Sequence, residues 1–401
     1  MQLDFARAFG EAHPVVRSRL YPDTTDAEWG DWRWHQQHRI TTVEDLERVV
    51  RLTDDERAAT QATARRFRMA ITPYWATLMD PEDPACPLRR QAVPTSGELR
   101  VWPGERPDPL AEETFMPVPG LTHRYPDRVL LYTTHNCAMY CRYCTRKRKV
   151  SDPDSQPGKS ELDVALDYIR RTPTVRDVII SGGDPLSLSN ERLDALLEAL
   201  AAIPHVEVAR LGTRNLVTLP QRVDAGLAAV LGRHQSRHLA VWVMTHFNHP
   251  KECTDDAWEA CERIASTGTP IQNQSVLLRG VNDQADVLAQ LSRRLLRMRV
   301  KPYYLLHADL EEGIGHFRTT IGEGKALLHA LRGPLSGLGI PQYVVDLPTG
   351  GGKVPVVPDY EAQRPRPAGG DDPGADEWVF TNWQGRAIAI PEPLPGPVGI
   401  G

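Results

Sequence analysis

The sequence lacks the cysteine density of a protein held together by disulfides, because only six cysteines are spread over 401 residues. Disulfide frameworks belong mainly to short secreted chains, so the thiols here need another explanation. No apolar run reaches the ~18 residues that a membrane span needs. The first residues also lack the basic stretch followed by an apolar one that marks a secretory signal. We therefore predict a cytoplasmic protein without a membrane partner.

An excess of positive charge is also missing. The 47 basic residues are outnumbered by 52 acidic ones, which gives a net charge of -5. Such a balance offers no general attraction to nucleic acid or to an anionic membrane surface. Hydrophobic residues make up 41% of the chain and charged residues 25%, as in ordinary globular enzymes. We expect a small-molecule substrate and no nucleic-acid partner.

From about residue 128, short β-branched or apolar segments alternate with helical ones. The predicted strands are 129–134, 177–182, 206–213, 239–247, 271–278 and 301–307. The predicted helices between them are 161–172, 190–203, 222–234, 255–267 and 284–298. This alternation predicts an α/β fold with a parallel sheet. Six repeats fit a partial (β/α)6 barrel with its site at the C-terminal strand ends, and a full eight-stranded barrel is the alternative.

The remaining segments flank this barrel. We divide the chain into a helical N-terminal region (1–120), the barrel core (121–310), a C-terminal segment (311–360), and a linker and tail (361–401). Within the last part, 361–376 is rich in proline, glycine and charge and is predicted to be a linker. Residues 377–390 are predicted to form a hairpin around Gln384 and Gly385.

Three cysteines stand together just after the first predicted strand. Cys137, Cys141 and Cys144 have the spacing C-x3-C-x2-C. Three thiolates can hold three irons of a 4Fe–4S cluster and leave the fourth iron open to a chelating small molecule. A zinc site would need a fourth ligand, for which only His135 is close in the sequence. The three scattered cysteines are expected to be small buried apolar residues.

Two segments of the chain are rich in glycine. Gly182, Gly183 and Asp184 end the second predicted strand, where glycines allow a ligand to approach the backbone closely. Lys353 follows three glycines but is itself followed by valine, so the segment is not a phosphate-binding P-loop. A covalent bond to the carbonyl group of pyridoxal phosphate is a better use of this amine. An ordinary exposed loop lysine is the alternative.

These motifs resemble a known family. The cysteine triad, with Tyr143 before its last member, resembles the radical S-adenosylmethionine superfamily. Further segments resemble the lysine 2,3-aminomutase family within it, and the likeness runs from about residue 25 to about 360. They are WGDWRW (29–34), MAITPYW (69–75), CRYCTRKR (141–148), HFNHP (246–250), NQSVLLRGVND (273–283), KPYYLLHADL (301–310), GHFRT (315–319) and VVDLPTGGGKVPV (344–356).

The resemblance implies a radical-SAM barrel with three cofactors. The cysteines would hold the 4Fe–4S cluster, and its open iron would bind S-adenosylmethionine. Gly182, Gly183 and Asp184 match the motif that contacts the methionine amino group, with Asp in place of the usual Glu. Lys353 would carry pyridoxal 5′-phosphate as an aldimine. Arg124 and Arg128 match basic residues near that cofactor.

The resemblance also implies a reaction, in which a 5′-deoxyadenosyl radical removes a β-hydrogen and the α-amino group migrates to the β-carbon. Arg146 matches the clamp for the substrate α-carboxylate. Asp309 and Asp346 match the two aspartates that hold a side-chain ammonium in the lysine enzymes. A glutamate enzyme should not carry both, so a cationic substrate is expected. We favour conversion of L-lysine to L-β-lysine, with arginine as the alternative.

Departures from the family pattern leave other hypotheses. Leu306 stands where lysine enzymes often have a polar aromatic residue, which affects the shape of the pocket. Cys261 matches one ligand of a structural zinc site whose other ligands are missing, so no zinc is predicted. HADLEEGIGHF is similar to the branch that acts on lysine in elongation-factor modification.

The remaining hypotheses are a radical dehydratase or deaminase, and a non-catalytic iron–sulfur redox or regulatory protein. As partners, we expect a flavodoxin- or ferredoxin-type reductant and further copies of the chain in a homo-oligomer.

Overall fold

The computed structural model describes residues 13–150, 157–363 and 375–393. In this part of the chain the strands form one sheet of nine and one of three. The strands are β1 Leu121–Tyr125, β2 Arg128–Thr134, β3 Asp177–Gly182, β4 Val208–Gly212, β5 Ala240–Thr245, β6 Ile271–Leu277, β7 Val300–His307, β8 Gln342–Leu347, β9 Gly352–Pro355, β10 Glu361–Gln363, β11 Ala375–Thr381 and β12 Ala387–Pro393.

Short helices precede the large sheet, and longer ones connect its strands. They are α1 His13–Leu20, α2 Asp26–Gly30, α3 Trp32–Gln37, α4 Val43–Glu47, α5 Asp54–Thr63, α6 Pro73–Ala76, α7 Pro87–Arg90, α8 Lys159–Arg170, α9 Asn190–Ala201, α10 Asn215–Thr218, α11 Ala225–Arg233, α12 Asp255–Ala265, α13 Ala285–Arg297 and α14 Ile321–Leu331. Among the described residues, no helix is both long and apolar enough to cross a membrane.

The large sheet is a partial barrel whose strands lie in chain order. Strands β2 to β8 are parallel, while β1 and β9 pair antiparallel at its two ends. The predicted partial barrel and its six strands are therefore confirmed. The predicted number of strands was one too low, since β8 is a seventh parallel strand. Its signal is weak because only Tyr343 and Val344 are buried in it and because Gly322 and Gly324 interrupt the helical pattern of α14.

The helices bury one face against the sheet. In α12 the buried residues Ala257, Ala260, Cys261 and Ile264 follow the spacing of a single helical face. The hydroxyl of the preceding Thr254 accepts a hydrogen bond from the Ala257 N–H and caps the helix. Cys261 is thus a core residue of this face.

Buried ion pairs fix the N-terminal region around the mouth of the barrel. The Arg89 guanidinium makes two hydrogen bonds to the Glu56 carboxylate, of 2.9 and 2.7 Å. Glu98 pairs with both Arg142, which lies between Cys141 and Cys144, and Lys147, which follows the cysteine cluster. Because breaking a buried pair leaves an uncompensated charge, these contacts hold the cysteine loop firmly against the N-terminal helices.

The C-terminal strands form a separate antiparallel sheet of β10, β11 and β12. Thr381 pairs with Ala387, so the hairpin predicted around Gln384 and Gly385 is present. The predicted linker 361–376 needs correction at both ends, because Glu361–Gln363 form β10 and β11 begins at Ala375. The middle of that linker lies outside the described residues, as does the tail beyond β12.

Candidate active site

The cysteine loop lies at the C-terminal end of β2. Its backbone is hydrogen-bonded to the N-terminal region, from Tyr140 N–H to the Ala70 carbonyl (2.9 Å) and from Arg142 N–H to the Gln91 carbonyl (2.9 Å). Cys137, Cys141 and Cys144 are all half-buried on this loop. The three thiols are therefore brought to one place by the fold, as the sequence predicts.

The two glycines after β3 let that strand approach the cysteine loop. A β-carbon on Gly182 would lie 2.3 Å from the Thr134 carbonyl oxygen, and one on Gly183 would lie 2.3 Å from that of Asn136. Gly182 also has a φ of 117°, a value that residues other than glycine rarely adopt. These glycines thus have a packing role, and their contact with S-adenosylmethionine stays a prediction.

Asp184 ties the end of β3 to the end of β4. Its carboxylate accepts hydrogen bonds from the Thr213 hydroxyl (2.7 and 2.9 Å) and from the backbone N–H groups of Arg214 (2.7 Å) and Leu186 (2.9 Å). Burial raises the pKa of Asp184, while these hydrogen bonds act in the opposite direction. Its side chain is thus engaged with protein groups, and a direct contact with the methionine amino group stays a prediction.

The cysteine loop provides a chemically suitable set of ligands for an iron–sulfur cluster. Burial, followed by the charges of neighbouring groups, raises the pKa of Cys137 well above its usual range and that of Cys144 to about 12. Metal ions compensate the negative charge of thiolates, so bound iron would favour their ionisation. Among the described residues no His, Cys, Asp and Glu side chains converge on a single ion. A cubane cluster has no such requirement, since each thiolate binds a different iron.

Arg214, which follows β4, contacts the cysteine cluster directly. Its Nη1 donates a hydrogen bond to the Sγ of Cys141 (2.9 Å), and its Nη2 donates to Gln91 (2.7 Å) and Glu252 (3.2 Å). The sequence gives no sign of this role for Arg214, because nothing in its neighbouring residues connects it with a motif so much earlier in the chain. Hydrogen bonds to ligand sulfurs are among the features that tune a cluster.

His246 packs against Tyr143. Its ring stacks on that of Tyr143 with 5.6 Å between centroids, and its Nε2 is 2.9 Å from the Tyr143 hydroxyl. Burial, assisted by the nearby charge of Arg214, lowers the pKa of His246 to about 3. His246 belongs to the HFNHP segment (246–250).

Lys353 and Asp346 face each other across the β8–β9 hairpin. The Lys353 ammonium pairs with one oxygen of the Asp346 carboxylate, and Arg124 Nη2 donates to the other oxygen (3.2 Å). The backbone geometry explains why glycines precede the lysine. Gly350 and Gly352 have φ values of 81° and 84°, in the left-handed region, so the chain can turn tightly here. Three predicted site residues thus meet at one hairpin.

The same hairpin connects the two ends of the open sheet. The backbone N–H of Lys353, in β9, donates a hydrogen bond to the Tyr125 hydroxyl of β1 (2.9 Å). Arg124 of β1 reaches Asp346 as described above. Arg128 lies over the Tyr125 ring, with its guanidinium carbon 3.7 Å from the ring centroid, and its Nη1 donates a hydrogen bond to Asp127 (2.8 Å). A phosphate-binding role for Arg124 and Arg128 stays a prediction.

Arg146 is paired with a carboxylate that the sequence analysis missed. Its Nε and Nη2 donate to the Glu112 carboxylate at 3.0 and 2.8 Å. Burial would raise the pKa of Glu112, but the charge of Arg146 outweighs it and the pKa is lowered. Glu112 comes from the segment before β1, which carries no motif. The pair demonstrates that Arg146 can receive a carboxylate in a two-point contact.

Asp309 completes the set of predicted substrate residues after β7. It is half-buried, and burial raises its pKa to about 6, while Thr145 and the charge of Lys353 act to lower it. The electrostatic influence of Asp346 and Glu112 on its carboxyl places it close to both. Residues from the ends of β7, β8 and β9 and from the cysteine loop therefore share one region at the C-terminal ends of the parallel strands, where barrel enzymes place their active sites.

Comparison with known proteins identifies the family. Residues 131–291 match the model described as "Radical SAM superfamily", and residues 328–369 match the one described as "Lysine-2,3-aminomutase". The chain is 45% identical to the L-lysine 2,3-aminomutase of Clostridium subterminale, over 94% of this chain and 88% of that protein. The chain belongs to the lysine 2,3-aminomutase family. The predicted family, its isomerase class and its radical-SAM chemistry are thus confirmed.

The family contains relatives that are named for different substrates. An L-lysine 2,3-aminomutase of Fusobacterium nucleatum is 46% identical over 86% of this chain and 80% of that protein. A glutamate 2,3-aminomutase of Clostridioides difficile is 39% identical over 91% of this chain and 83% of that protein. Membership of the radical SAM superfamily implies a 4Fe–4S cluster and S-adenosylmethionine. The identity of the migrating amino acid has to be argued from the site itself.

Proposed function

We propose that this enzyme is a pyridoxal-phosphate-dependent 2,3-aminomutase that converts L-lysine to L-β-lysine. The observation that carries the proposal is the meeting of Lys353, Asp346 and Arg124 at the open end of a radical-SAM barrel. It combines a reactive amine, a carboxylate for a cationic substrate and a guanidinium for an anionic group. The close lysine-named relatives support the same substrate.

Each cofactor has residues suited to hold it. Cys137, Cys141 and Cys144 would hold the cluster, with Gly182, Gly183 and Asp184 beside S-adenosylmethionine. Lys353 would bind pyridoxal phosphate covalently, with Arg124 and Arg128 near its phosphate. When bound, these groups supply a 5′-deoxyadenosyl radical that removes hydrogen from the β-carbon and a carbonyl that carries the amino group between carbons.

The protein residues bind and orient the substrate. Arg146 would exchange Glu112 for the substrate α-carboxylate, since both are carboxylates of the same charge and shape. Asp346 pairs with the Lys353 ammonium in the structure. Once the Lys353 nitrogen is covalently engaged, Asp346 is available for the substrate's side-chain ammonium, with Asp309 as the second acceptor. A buried cation needs such partners to offset its lost hydration.

Arginine is the second candidate substrate, and Glu311, discussed below, favours it as an additional one. A lysine aminomutase of the elongation-factor branch remains the alternative with the same chemistry. We further propose that a flavodoxin- or ferredoxin-type protein supplies the electron and that the chain works as a homo-oligomer in the cytoplasm.

The test is anaerobic turnover of the reconstituted enzyme with S-adenosylmethionine, pyridoxal phosphate and dithionite. Lysine, arginine, ornithine, glutamate and alanine are offered together, and β-amino acids are identified by mass spectrometry. β-Lysine formation supports the proposal, provided that the Lys353→Ala variant forms none. β-Glutamate as the main product would contradict the roles of Asp309 and Asp346. Absence of every β-amino acid from an enzyme with a full cluster would overturn the aminomutase function.

A further inference from the structure

Among the described residues, a buried carboxyl group close to Asp309 has no hydrogen-bond partner. Glu311 lies two residues after Asp309 and is 1% exposed, and neither of its oxygens takes part in a hydrogen bond. Burying a polar group without a hydrogen bond is costly, so native proteins rarely leave one in this state without a reason. A ligand that supplies hydrogen-bond donors to Glu311 would be such a reason.

The backbone around Glu311 is held in place by the segment that precedes β1. The N–H of Arg106 donates to the Leu310 carbonyl (2.7 Å), and Arg106 pairs with Glu311 in a short parallel bridge. The backbone that carries the Glu311 side chain is therefore held in place by the fold.

The charged groups around Glu311 do not supply that donor. Three acidic groups, Asp309, Glu112 and Asp108, act on its carboxyl and reinforce the effect of burial, which raises the pKa of Glu311 to about 9. The charge of Arg148 acts in the opposite direction and lowers this pKa. The Arg148 guanidinium, however, is paired with Glu113 (2.6 Å) and Asp108 (3.4 Å).

We infer that Glu311 is a third carboxyl group of the subsite that receives the substrate's side-chain cation, and that it enables the enzyme to bind a guanidinium as well as an ammonium. This inference rests on the proposed function. An ammonium offers three donors, which Asp309 and Asp346 can satisfy between them. A guanidinium offers five donors in a planar fork and needs more acceptors. The arginine side chain is also one bond longer than that of lysine.

The first test compares arginine with lysine as substrates. Wild-type enzyme and the Glu311→Gln variant are given both amino acids in competition, and the ratio of their kcat/KM values is read from the β-amino acid products. We expect this ratio to fall about tenfold or more in Glu311→Gln, with kcat/KM for lysine nearly unchanged, because an amide cannot release a proton and pair as a carboxylate with the arginine guanidinium. Glu312→Gln is the matched control, because Glu312 pairs instead with Arg66.

A binding measurement tests the role of Glu311 independently of catalytic turnover. Arginine and lysine are titrated by calorimetry into enzyme that holds its cluster and pyridoxal phosphate but lacks S-adenosylmethionine. We expect Glu311→Gln to raise the Kd of arginine about tenfold and to leave that of lysine unchanged. An equal effect on both amino acids would indicate a structural role and overturn the inference. So would a wild-type enzyme that neither binds nor converts arginine.

The two proposals can fail separately. If β-lysine forms but Glu311→Gln leaves the arginine-to-lysine ratio unchanged, the function stands and the role of Glu311 falls. If no β-amino acid forms but Glu311→Gln selectively weakens arginine binding, the role of Glu311 stands and the proposed reaction falls.

Discussion

Arg214 donates a hydrogen bond over 2.9 Å to the sulfur of Cys141, and the same guanidinium is held by Gln91 and Glu252. The hydrogen bond therefore has a fixed direction and belongs to a buried network. A positive charge beside a ligand sulfur stabilises the more negative, reduced form of a cluster. Arg214 is thus placed to make the cluster easier to reduce.

We predict that Arg214→Gln lowers the midpoint potential of the cluster. A hydrogen bond to a charged group contributes about 1.5 kcal/mol, which corresponds to about 60 mV for a one-electron couple. Arg214→Lys should retain much of the effect because it keeps the charge. The measurement is a potentiometric titration followed by electron paramagnetic resonance. Equal potentials in wild type and Arg214→Gln would contradict this role.

The cysteine assignment predicts which thiols retain iron. Cys144→Ala should lower the iron bound after reconstitution and remove the visible absorption of the cluster, because one iron loses its protein ligand. Cys261→Ala is the control, since Cys261 is buried in the core face of α12. The measurement is iron analysis together with the absorption spectrum. Full iron content in Cys144→Ala would remove this residue from the ligand set.

The dual pairing of Asp346 predicts a large effect on substrate binding. Asp346→Asn should raise KM for lysine about tenfold or more, because a neutral amide cannot offset a buried ammonium. Asp359→Asn makes the same chemical change at an exposed pair with Lys325 (2.6 Å) and should leave KM unchanged. Steady-state kinetics with lysine provide the comparison. A KM for Asp346→Asn within twofold of wild type would exclude Asp346 from the substrate site.

Glu311 should make the stability of the enzyme depend on pH. Its folded-state pKa of about 9 lies above the ordinary value of 4.5, so between these values the folded state keeps a proton that the unfolded state has lost. Stability is therefore lost as pH rises through this window, by at most about 1.4 kcal/mol per pH unit. The glutamine of Glu311→Gln cannot ionise. The melting temperature of this variant minus that of wild type should therefore increase between pH 5.5 and pH 8. A constant difference between the two proteins would contradict the raised pKa.

The ion pair of Arg89 with Glu56 predicts a stability effect outside the active site. Arg89→Ala leaves the Glu56 carboxylate buried without its partner and should cost about 3–5 kcal/mol in the free energy of unfolding. Arg171→Ala removes an exposed ion pair between Arg171, which directly follows α8, and Asp167 within that helix. This change should lower the free energy of unfolding by about 0.5 kcal/mol or less. Melting temperatures of both variants test the difference. Similar losses would show that the Arg89 pair adds nothing beyond a surface contact.

The sequence predicted those parts of the fold that depend on local patterns. Strand–helix alternation located β2 to β7 because each unit buries its own apolar face. The same pattern failed at β8, whose few buried residues follow a helix weakened by glycines. Likewise, the prediction of a linker from composition missed β10, because the three residues of that strand are recognisable only through their pairing with β11.

The site was predictable where a motif occupies adjacent residues and unpredictable where the fold assembles it. Cys137, Cys141 and Cys144 lie within one short loop, so their spacing alone indicates their chemistry. Arg214 and Glu112 enter the site from distant segments that carry no local signature. For Glu311 the sequence shows a charged residue, and only the structure reveals that it is buried and without a partner.

The contact between Tyr125 and Lys353 joins β1 and β9, the two ends of the barrel sheet. Elsewhere in the sheet neighbouring strands are fastened by backbone ladders, whereas β1 and β9 meet through the Tyr125 hydroxyl, with Arg124 and Asp346 beside it. A contact made by a few side chains is broken more easily than a row of backbone hydrogen bonds between two strands. The backbone of Lys353 therefore takes part in the contact that joins the two ends of the sheet. Hydrogen exchange at the Lys353 amide would report on whether this contact is formed.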